Sequence, residues 1–205
     1  MRLGAIFVIS SFVLSMHTGI LSGAETAEEE RKIQTWFGTL AKADNSGDWE
    51  KFIELTSPEW KKLFFYQTMH DVGMRGGKLL EQFKLATEKW DKAFEQHCSS
   101  SNLESLEDQQ EALLGFKDHE KYLAAMLQFS ARWPRPSYAE SLRNLVIDKR
   151  RATALVDVRT HLGIMGLGAV DKNESVRAAE IKIFMIKRAD RWFLATQSEW
   201  NQKGT

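Results

Sequence analysis

The chain has 205 residues, and its 28 lysines and arginines balance its 28 aspartates and glutamates, so the formal net charge is zero. A near-neutral chain gives no electrostatic argument for binding nucleic acid or an anionic membrane surface, and we expect neither partner. The single cysteine, Cys98, excludes an internal disulfide framework. We favour burial of Cys98 as a small apolar side chain over a reactive thiol or an intermolecular crosslink.

The N-terminus has the pattern of a secretory signal peptide. Arg2 is the only early charge, an apolar run follows it, and Ser22 and Ala24 are the small residues that a signal peptidase needs. We expect cleavage after Ala24, which makes residues 1–24 a signal peptide and residues 25–205 a single secreted or periplasmic domain. The alternative is an N-terminal membrane anchor, because this segment is long enough to span a bilayer. No later segment of the sequence is apolar enough to do so.

Helices are predicted first along the mature chain. Thr26 and Glu29 have the spacing of a capping box, which would begin the first helix there. A short helix follows in "DWEKFIEL", and the next begins with Ser57 as N-cap and Pro58 in the first turn. Apolar residues at helical spacing predict the core faces of these helices. The residues are Ile33, Trp36, Phe37, Leu40 and Ala41, then Trp49, Phe52 and Ile53, then Trp60, Leu63 and Phe64.

Residues 78–132 are predicted to be helical as well. The apolar residues of this region recur at helical intervals, and the prolines of "WPRP" end the last helix. "DHE", Asp118 to Glu120, occupies three consecutive helix positions and is expected to be a solvated surface. The core stripe of the long helix in this region is predicted to be Leu79, Leu80, Phe83, Ala86, Trp90 and Phe94.

The period of the apolar pattern changes to two in the last third of the chain. Residues 138–200 are predicted to form an antiparallel sheet, with tight turns at "DKRR" and "RADR" and a last strand that reaches Trp200. Both faces of the last hairpin contain apolar residues. Either the middle helices or a second subunit must therefore cover the back of the sheet, and the second case predicts a homodimer through the sheet. Helices followed by antiparallel strands define the α+β class.

The first helix, "SGDWEKFIEL" and the terminal "IKIFMIKRADRWFLAT" hairpin resemble the nuclear transport factor 2-like superfamily, which includes SnoaL-like and ketosteroid-isomerase-like proteins. The resemblance implies N-terminal helices packed on a curved, cone-like sheet, with residues 78–132 as a helical insertion. It also implies an apolar pocket at the open end of the cone and frequent dimerisation. Members of this superfamily include isomerases, dehydratases, ligand binders and interaction modules, so the fold does not select a function. No equivalent of the isomerase catalytic set is found, and no catalytic residue is carried over.

Three polar residues are weak catalytic candidates. Asp157, Arg159 and His161 project from one face of the same predicted strand, about 7 Å apart. An acid, a cation and an imidazole in a row could bind and polarise a small substrate. The alternative is the solvent face of an antiparallel strand, where charges are usual.

The glycine-rich connection after this strand is a candidate ligand or partner loop. It contains apolar residues where polar ones are usual: Leu162, Ile164, Met165 and Leu167. Its glycines enter a hairpin rather than a helix, so they do not form a dinucleotide site.

No metal-ligand spacing or cofactor motif is found, and we predict neither. The sequence therefore favours an exported, non-enzymatic module that binds a protein partner or a small apolar ligand. A small-pocket acid–base enzyme and a structural dimerisation module are the alternatives.

Overall fold

The computed structural model describes residues 23–99, 103, 105–131, 136–161 and 176–202, and it confirms the α+β class. The helices come first and the strands follow, apart from one short helix at the end. The helices are α1 (Gly23–Ser46), α2 (Trp49–Glu54), α3 (Pro58–Arg75), α4 (Gly77–Ser99), α5 (Leu106–Ala112), α6 (His119–Ser130) and α7 (Gln197–Asn201), with a 3-10 turn at Leu113–Gly115. The strands are β1 (Pro136–Asp148), β2 (Arg151–His161), β3 (Val176–Arg188) and β4 (Arg191–Ala195).

The four strands form one antiparallel sheet in the order β1-β2-β3-β4. Two-residue turns join β1 to β2 and β3 to β4, as "DKRR" and "RADR" predict. In the second turn, Ala189 and Asp190 have φ values of 44° and 64°, the left-handed pair that matches the twist of a tight hairpin. The register of β1 shifts around Asn144, whose φ is 50°, so this strand is bulged.

Helix α1 covers one face of the sheet, which we call the inner face. The core between them contains aromatic and aliphatic side chains from α1, α2 and all four strands. Phe37 and Leu40 of α1 are fully buried against Val156 and Met185 of the sheet. The inner face is therefore filled by the chain's own side chains.

A second core lies between the middle helices. Its buried residues come from α2 to α6 and the 3-10 turn, with Phe65, Phe83, Tyr122 and Phe129 among the largest. The region predicted as a helical insertion thus packs mainly on α2 and α3 rather than on the back of the sheet. Helix α2 connects the two cores, because Phe52 belongs to the first core and Ile53 belongs to the second.

The last strand ends earlier than predicted. The sheet stops at Ala195, so the prediction of a strand as far as Trp200 is wrong. The Thr196 hydroxyl accepts a hydrogen bond from the Glu199 N–H (3.0 Å) and caps α7, which begins a helix where the strand was expected to continue. Trp200 folds back onto the outer face of the sheet, and its ring lies 5.7 Å from that of Phe184. Helix α7 therefore covers part of the face for which the middle helices or a second subunit were expected.

Two further details of the helices differ from prediction. The helical segment already includes Gly23, so Thr26 does not begin it; Glu29 instead accepts a hydrogen bond from Trp192 Nε1 (2.6 Å) and pairs with Lys187. The predicted core positions Leu63 and Ala86 are exposed. The buried positions of α3 are Lys61, Phe65, Thr68 and Val72, and those of α4 are Phe83, Thr87, Phe94 and Cys98.

Candidate functional site

The predicted Asp157 site lies on the outer face of the sheet. Arg143 Nη2 of β1 donates to Asp157 Oδ1 and to Glu180 Oε2, both at 2.5 Å, so one guanidinium connects carboxylates of β2 and β3. The Asp157 side chain is 57% exposed. This paired and solvated carboxylate is typical of the open face of an antiparallel sheet.

For Arg159 and His161, the other two residues of the predicted catalytic row, only the backbone positions are described. Arg159 and His161 follow Asp157 at alternate positions of β2, opposite Ala178 and Val176 of β3, so the three share one face by register. Their side chains are outside the described residues. The catalytic interpretation of the row remains a prediction, and so does the partner loop of Leu162, Ile164, Met165 and Leu167, which also lies outside the described part of the chain.

An ionic cluster that the sequence reading missed joins α3 to α6. Lys61 is buried, and its Nζ donates to Glu120 Oε1 at 2.7 Å. His119 Nδ1 lies 2.9 Å from the carbonyl oxygen of Phe116, so this nitrogen carries the proton and Nε2 points towards Glu120, 4.0 Å away. Asp118 to Glu120 were expected to be a solvated surface, and Glu120 is indeed 45% exposed, but His119 is only 21% exposed and Glu120 also pairs with a buried lysine. Lys61 occurs at core spacing with Phe65, and this was the signal that could have revealed the cluster.

A second polar cluster lies inside the helical core. Tyr122 donates to Asp91 Oδ1 at 2.6 Å, and the Thr87 hydroxyl lies 2.6 Å from Asp91 Oδ2. Burial and the neighbouring Asp91 charge raise the pKa of Tyr122 far above its ordinary value, so this phenol stays a hydrogen-bond donor. The cluster thus joins α4 to α6 through hydrogen bonds.

The predicted burial of Cys98 is confirmed. The residue is a free, buried thiol at the end of α4. Burial, with a smaller contribution from Glu95, raises the pKa of the thiol above its ordinary value. A protonated, buried thiol is a poor nucleophile, which is the structural interpretation that the sequence favoured.

A groove of about 560 Å³ runs along α4. Its described lining residues all come from α4, and Leu85, which is 75% exposed, is the only apolar one among them. The other described lining residues are charged. The described lining therefore does not form a small-molecule site of the usual enclosed, apolar kind.

Helix α3 carries an exposed apolar stripe on the side away from the core. Leu63 is 39% exposed and Met74 is 76% exposed, and the two are three turns apart on the same side of the helix. Between them the rings of Tyr66 and His70 stack with centroids 6.1 Å apart and planes 13° apart. We call Leu63, Tyr66, His70 and Met74 the α3 stripe.

Within the described residues, no three His, Cys, Asp or Glu side chains are grouped closely enough to hold a metal ion. In the same part of the chain, each helix is too short or too polar to cross a bilayer. No family model matches the chain, and neither the curated proteins nor the solved structures give a match.

Proposed function

We propose that the chain is an exported, non-catalytic α+β module that binds another protein. One observation carries the proposal: the inner face of the sheet is occupied by the chain's own side chains. Phe37 and Met185 are fully buried there, and Trp192 nearly so. A filled inner face leaves recognition to the outer surface.

The filled core weighs against the two small-molecule alternatives. A small apolar ligand or the substrate of an acid–base enzyme needs a concave site that buries most of its surface. The sheet of the nuclear transport factor 2-like fold would offer that site on its inner face. We retain membership of that superfamily as part of the proposal, supported by the order of helices before a four-stranded antiparallel sheet and by α1 on the inner face.

The α3 stripe is the surface that supports a protein partner. Surface helices of monomeric domains usually bury their one apolar stripe and expose polar residues. Helix α3 buries Lys61, Phe65, Thr68 and Val72 on its core side, and it also exposes Leu63 and Met74 on the other. Exposed apolar side chains in a row are characteristic of protein contacts.

Site-specific photo-crosslinking tests the proposal. A photoreactive amino acid replaces Met74 in the full chain, which is expressed in its own host, and a second variant carries the same group in place of Leu85 as a control of equal exposure. We expect a crosslink from position 74, but not from position 85, to a defined polypeptide identified by mass spectrometry. Equal labelling at both positions, or none at either, would overturn the proposal.

A further inference from the structure

We infer that helix α1 closes the free edge of β1 with two polar side chains and so prevents another strand from joining the sheet. The inference is independent of the proposed function, because it concerns an edge of the sheet and not the α3 stripe. It depends on how the outer strands of the sheet satisfy the backbone groups that point away from their neighbours.

An open antiparallel sheet has two edge strands, whose outward N–H and C=O groups are ready to pair with another chain. Among the described strands, β1 and β4 are the edges. On β4, the segment between α2 and α3 uses the outward groups of Leu194. The Leu194 N–H donates to the carbonyl oxygen of Leu55 (2.9 Å), and the Ser57 N–H donates to the carbonyl oxygen of Leu194 (2.8 Å). Main-chain hydrogen bonds therefore close the β4 edge at this residue.

On β1 a side chain has the same role. The carboxamide of Gln34, on α1, contacts both backbone groups of Leu142. Its Nε2 donates to the Leu142 carbonyl oxygen (3.5 Å), and its Oε1 accepts from the Leu142 N–H (3.4 Å). A residue of a neighbouring antiparallel strand exchanges the same two bonds with the residue opposite it. Gln34 therefore occupies the place that an added strand would take.

Asn45 extends this cover along the same edge. Its Nδ2 donates to the carbonyl oxygen of Tyr138 at 3.3 Å. Gln34 and Asn45 are separated by about three helical turns, or about 16 Å, so both lie on one side of α1. Tyr138 and Leu142 are separated by about 13 Å along β1. The two spacings are similar, and α1 therefore lies along the edge of β1, antiparallel to the strand.

The shape of β1 also opposes pairing. The register of β1 against β2 shifts on both sides of Leu142 and Arg143, so the strand is bulged twice. A bulge bends the strand and disturbs the regular spacing of the outward groups that a partner strand needs. The bulges and the contacts from α1 thus protect the same edge.

The contact from Gln34 is the weaker of the two closures. Its bonds of 3.4 and 3.5 Å are longer than usual for N–H···O bonds, whereas the backbone bonds of Leu194 have ordinary lengths. A side chain can also leave by changing its rotamer, while the segment between α2 and α3 cannot move without disturbing both helices. The β1 edge is therefore the one that substitutions in α1 can open.

Hydrogen exchange of single amides, followed by NMR, measures the closure directly. Gln34→Met removes both hydrogen bonds and keeps the length of the side chain. We expect the Leu142 amide to exchange about two- to tenfold faster in this variant, which is the factor that one hydrogen bond of ordinary net strength corresponds to. The Leu194 amide is the internal reference and should not change. Thr35→Ala, at the exposed neighbouring position of α1, is the control and should leave both amides as in the parent chain.

Sedimentation equilibrium tests what the closure prevents. The double variant Gln34→Ala/Asn45→Ala uncovers the β1 edge, which in a purified sample can pair with β1 of a second copy. We expect its association constant to exceed that of the parent chain at least about tenfold, and Thr35→Ala to behave like the parent chain. Adding Val146→Lys should reverse most of this gain, because Val146 is 62% exposed on β1 and a lysine on an edge strand opposes pairing.

The outcomes that overturn the inference are distinct from those that overturn the proposed function. An exchange rate of the Leu142 amide that Gln34→Met does not change overturns the inference. A folded double variant that associates no more than the parent chain does so too, as does association that Val146→Lys does not reduce. If circular dichroism shows that the double variant is unfolded, the exchange rate in Gln34→Met decides. None of these results affects the crosslink expected from position 74.

Discussion

Glu199 provides the sharpest test of how the C-terminal helix packs on the rest of the fold. Its side chain is only 5% exposed, yet it joins three elements: the Ser57 hydroxyl at the start of α3 donates to Oε2 at 2.5 Å, and Arg188 Nη2 of β3 donates to Oε1 at 2.7 Å. Glu199→Ala removes both acceptors and leaves the buried Ser57 hydroxyl without this partner. The cost of losing a buried hydrogen bond is about 1–3 kcal/mol, and the half-exposed Arg188 adds little because water can solvate it.

Glu199→Gln should cost less, because its amide oxygen can still accept the bond from Ser57. Burial raises the pKa of the Glu199 carboxyl above its ordinary value of 4.5, and the bonds from Ser57 and Arg188 offset this only in part. A carboxyl whose pKa is higher in the folded state contributes stability that is fully present below about pH 4.5 and is lost as the pH rises through the folded pKa. Since glutamine does not titrate, the free energy of unfolding of the parent chain relative to that of Glu199→Gln should fall as the pH rises above about 4.5.

Urea unfolding followed by circular dichroism, at several pH values, measures these differences. The Ala variant should lose about 1–3 kcal/mol, and the Gln variant should lose less. If the parent chain instead becomes more stable relative to the Gln variant as the pH rises, the reasoning is refuted. The attraction to Arg188 would then outweigh the cost of burying the charge.

Three further predictions concern other parts of the fold. Phe37→Ala should lower the free energy of unfolding by about 3–5 kcal/mol, because the ring is fully buried on the inner face, whereas Leu85→Ala should change it by less than about 0.5 kcal/mol; thermal melts of both variants check this. Arg143→Gln should cost less than about 1 kcal/mol in chemical unfolding, since its ion pairs to Asp157 and Glu180 are half exposed; a larger loss would show that the outer face is more buried than the structure has it. The double substitution Ala189→Asn/Asp190→Gly should stabilise the chain by about 0.5–1 kcal/mol, because both positions have positive φ and suit an Asn-Gly turn; a lower unfolding midpoint in urea would contradict this.

Local signals in the sequence predicted much of the fold. Ser57 and Pro58 begin α3 as expected, and the Ser57 hydroxyl accepts the hydrogen bond from the Trp60 N–H at 3.1 Å. The turn and the start of the last hairpin were predicted correctly, because the turn residues and the period-two pattern agree. Caps and turns are specified within a few residues, so the sequence alone was enough to find them.

Local signals failed where two segments carry the same signature or where a helix has two apolar faces. Thr26 and Glu29 share the T-x-x-E spacing of Thr196 and Glu199, but only Thr196 caps a helix. Likewise, the spacing of Leu63 is as good as that of Phe65, and only the position of the neighbouring helices decides which face of α3 is buried. Tertiary packing makes that choice, and helical periodicity does not record it.

The candidate sites were harder to predict than the fold. Asp157 was placed correctly on a strand face, but its partners Arg143 and Glu180 come from two other strands. The pairing of Lys61 with Glu120 depends on the docking of α3 on α6, which are far apart in sequence. Contacts of this kind follow from topology, which a single sequence does not specify.

Native mass spectrometry of the chain, purified from its own host, tests the central claim most directly. It reports the number of chains and any small molecule that they retain in the same spectrum. If the chain is a protein-binding module with a filled inner face, the spectra should show folded chains without a retained small molecule. A small molecule retained in a one-to-one ratio with the folded chain would contradict the account.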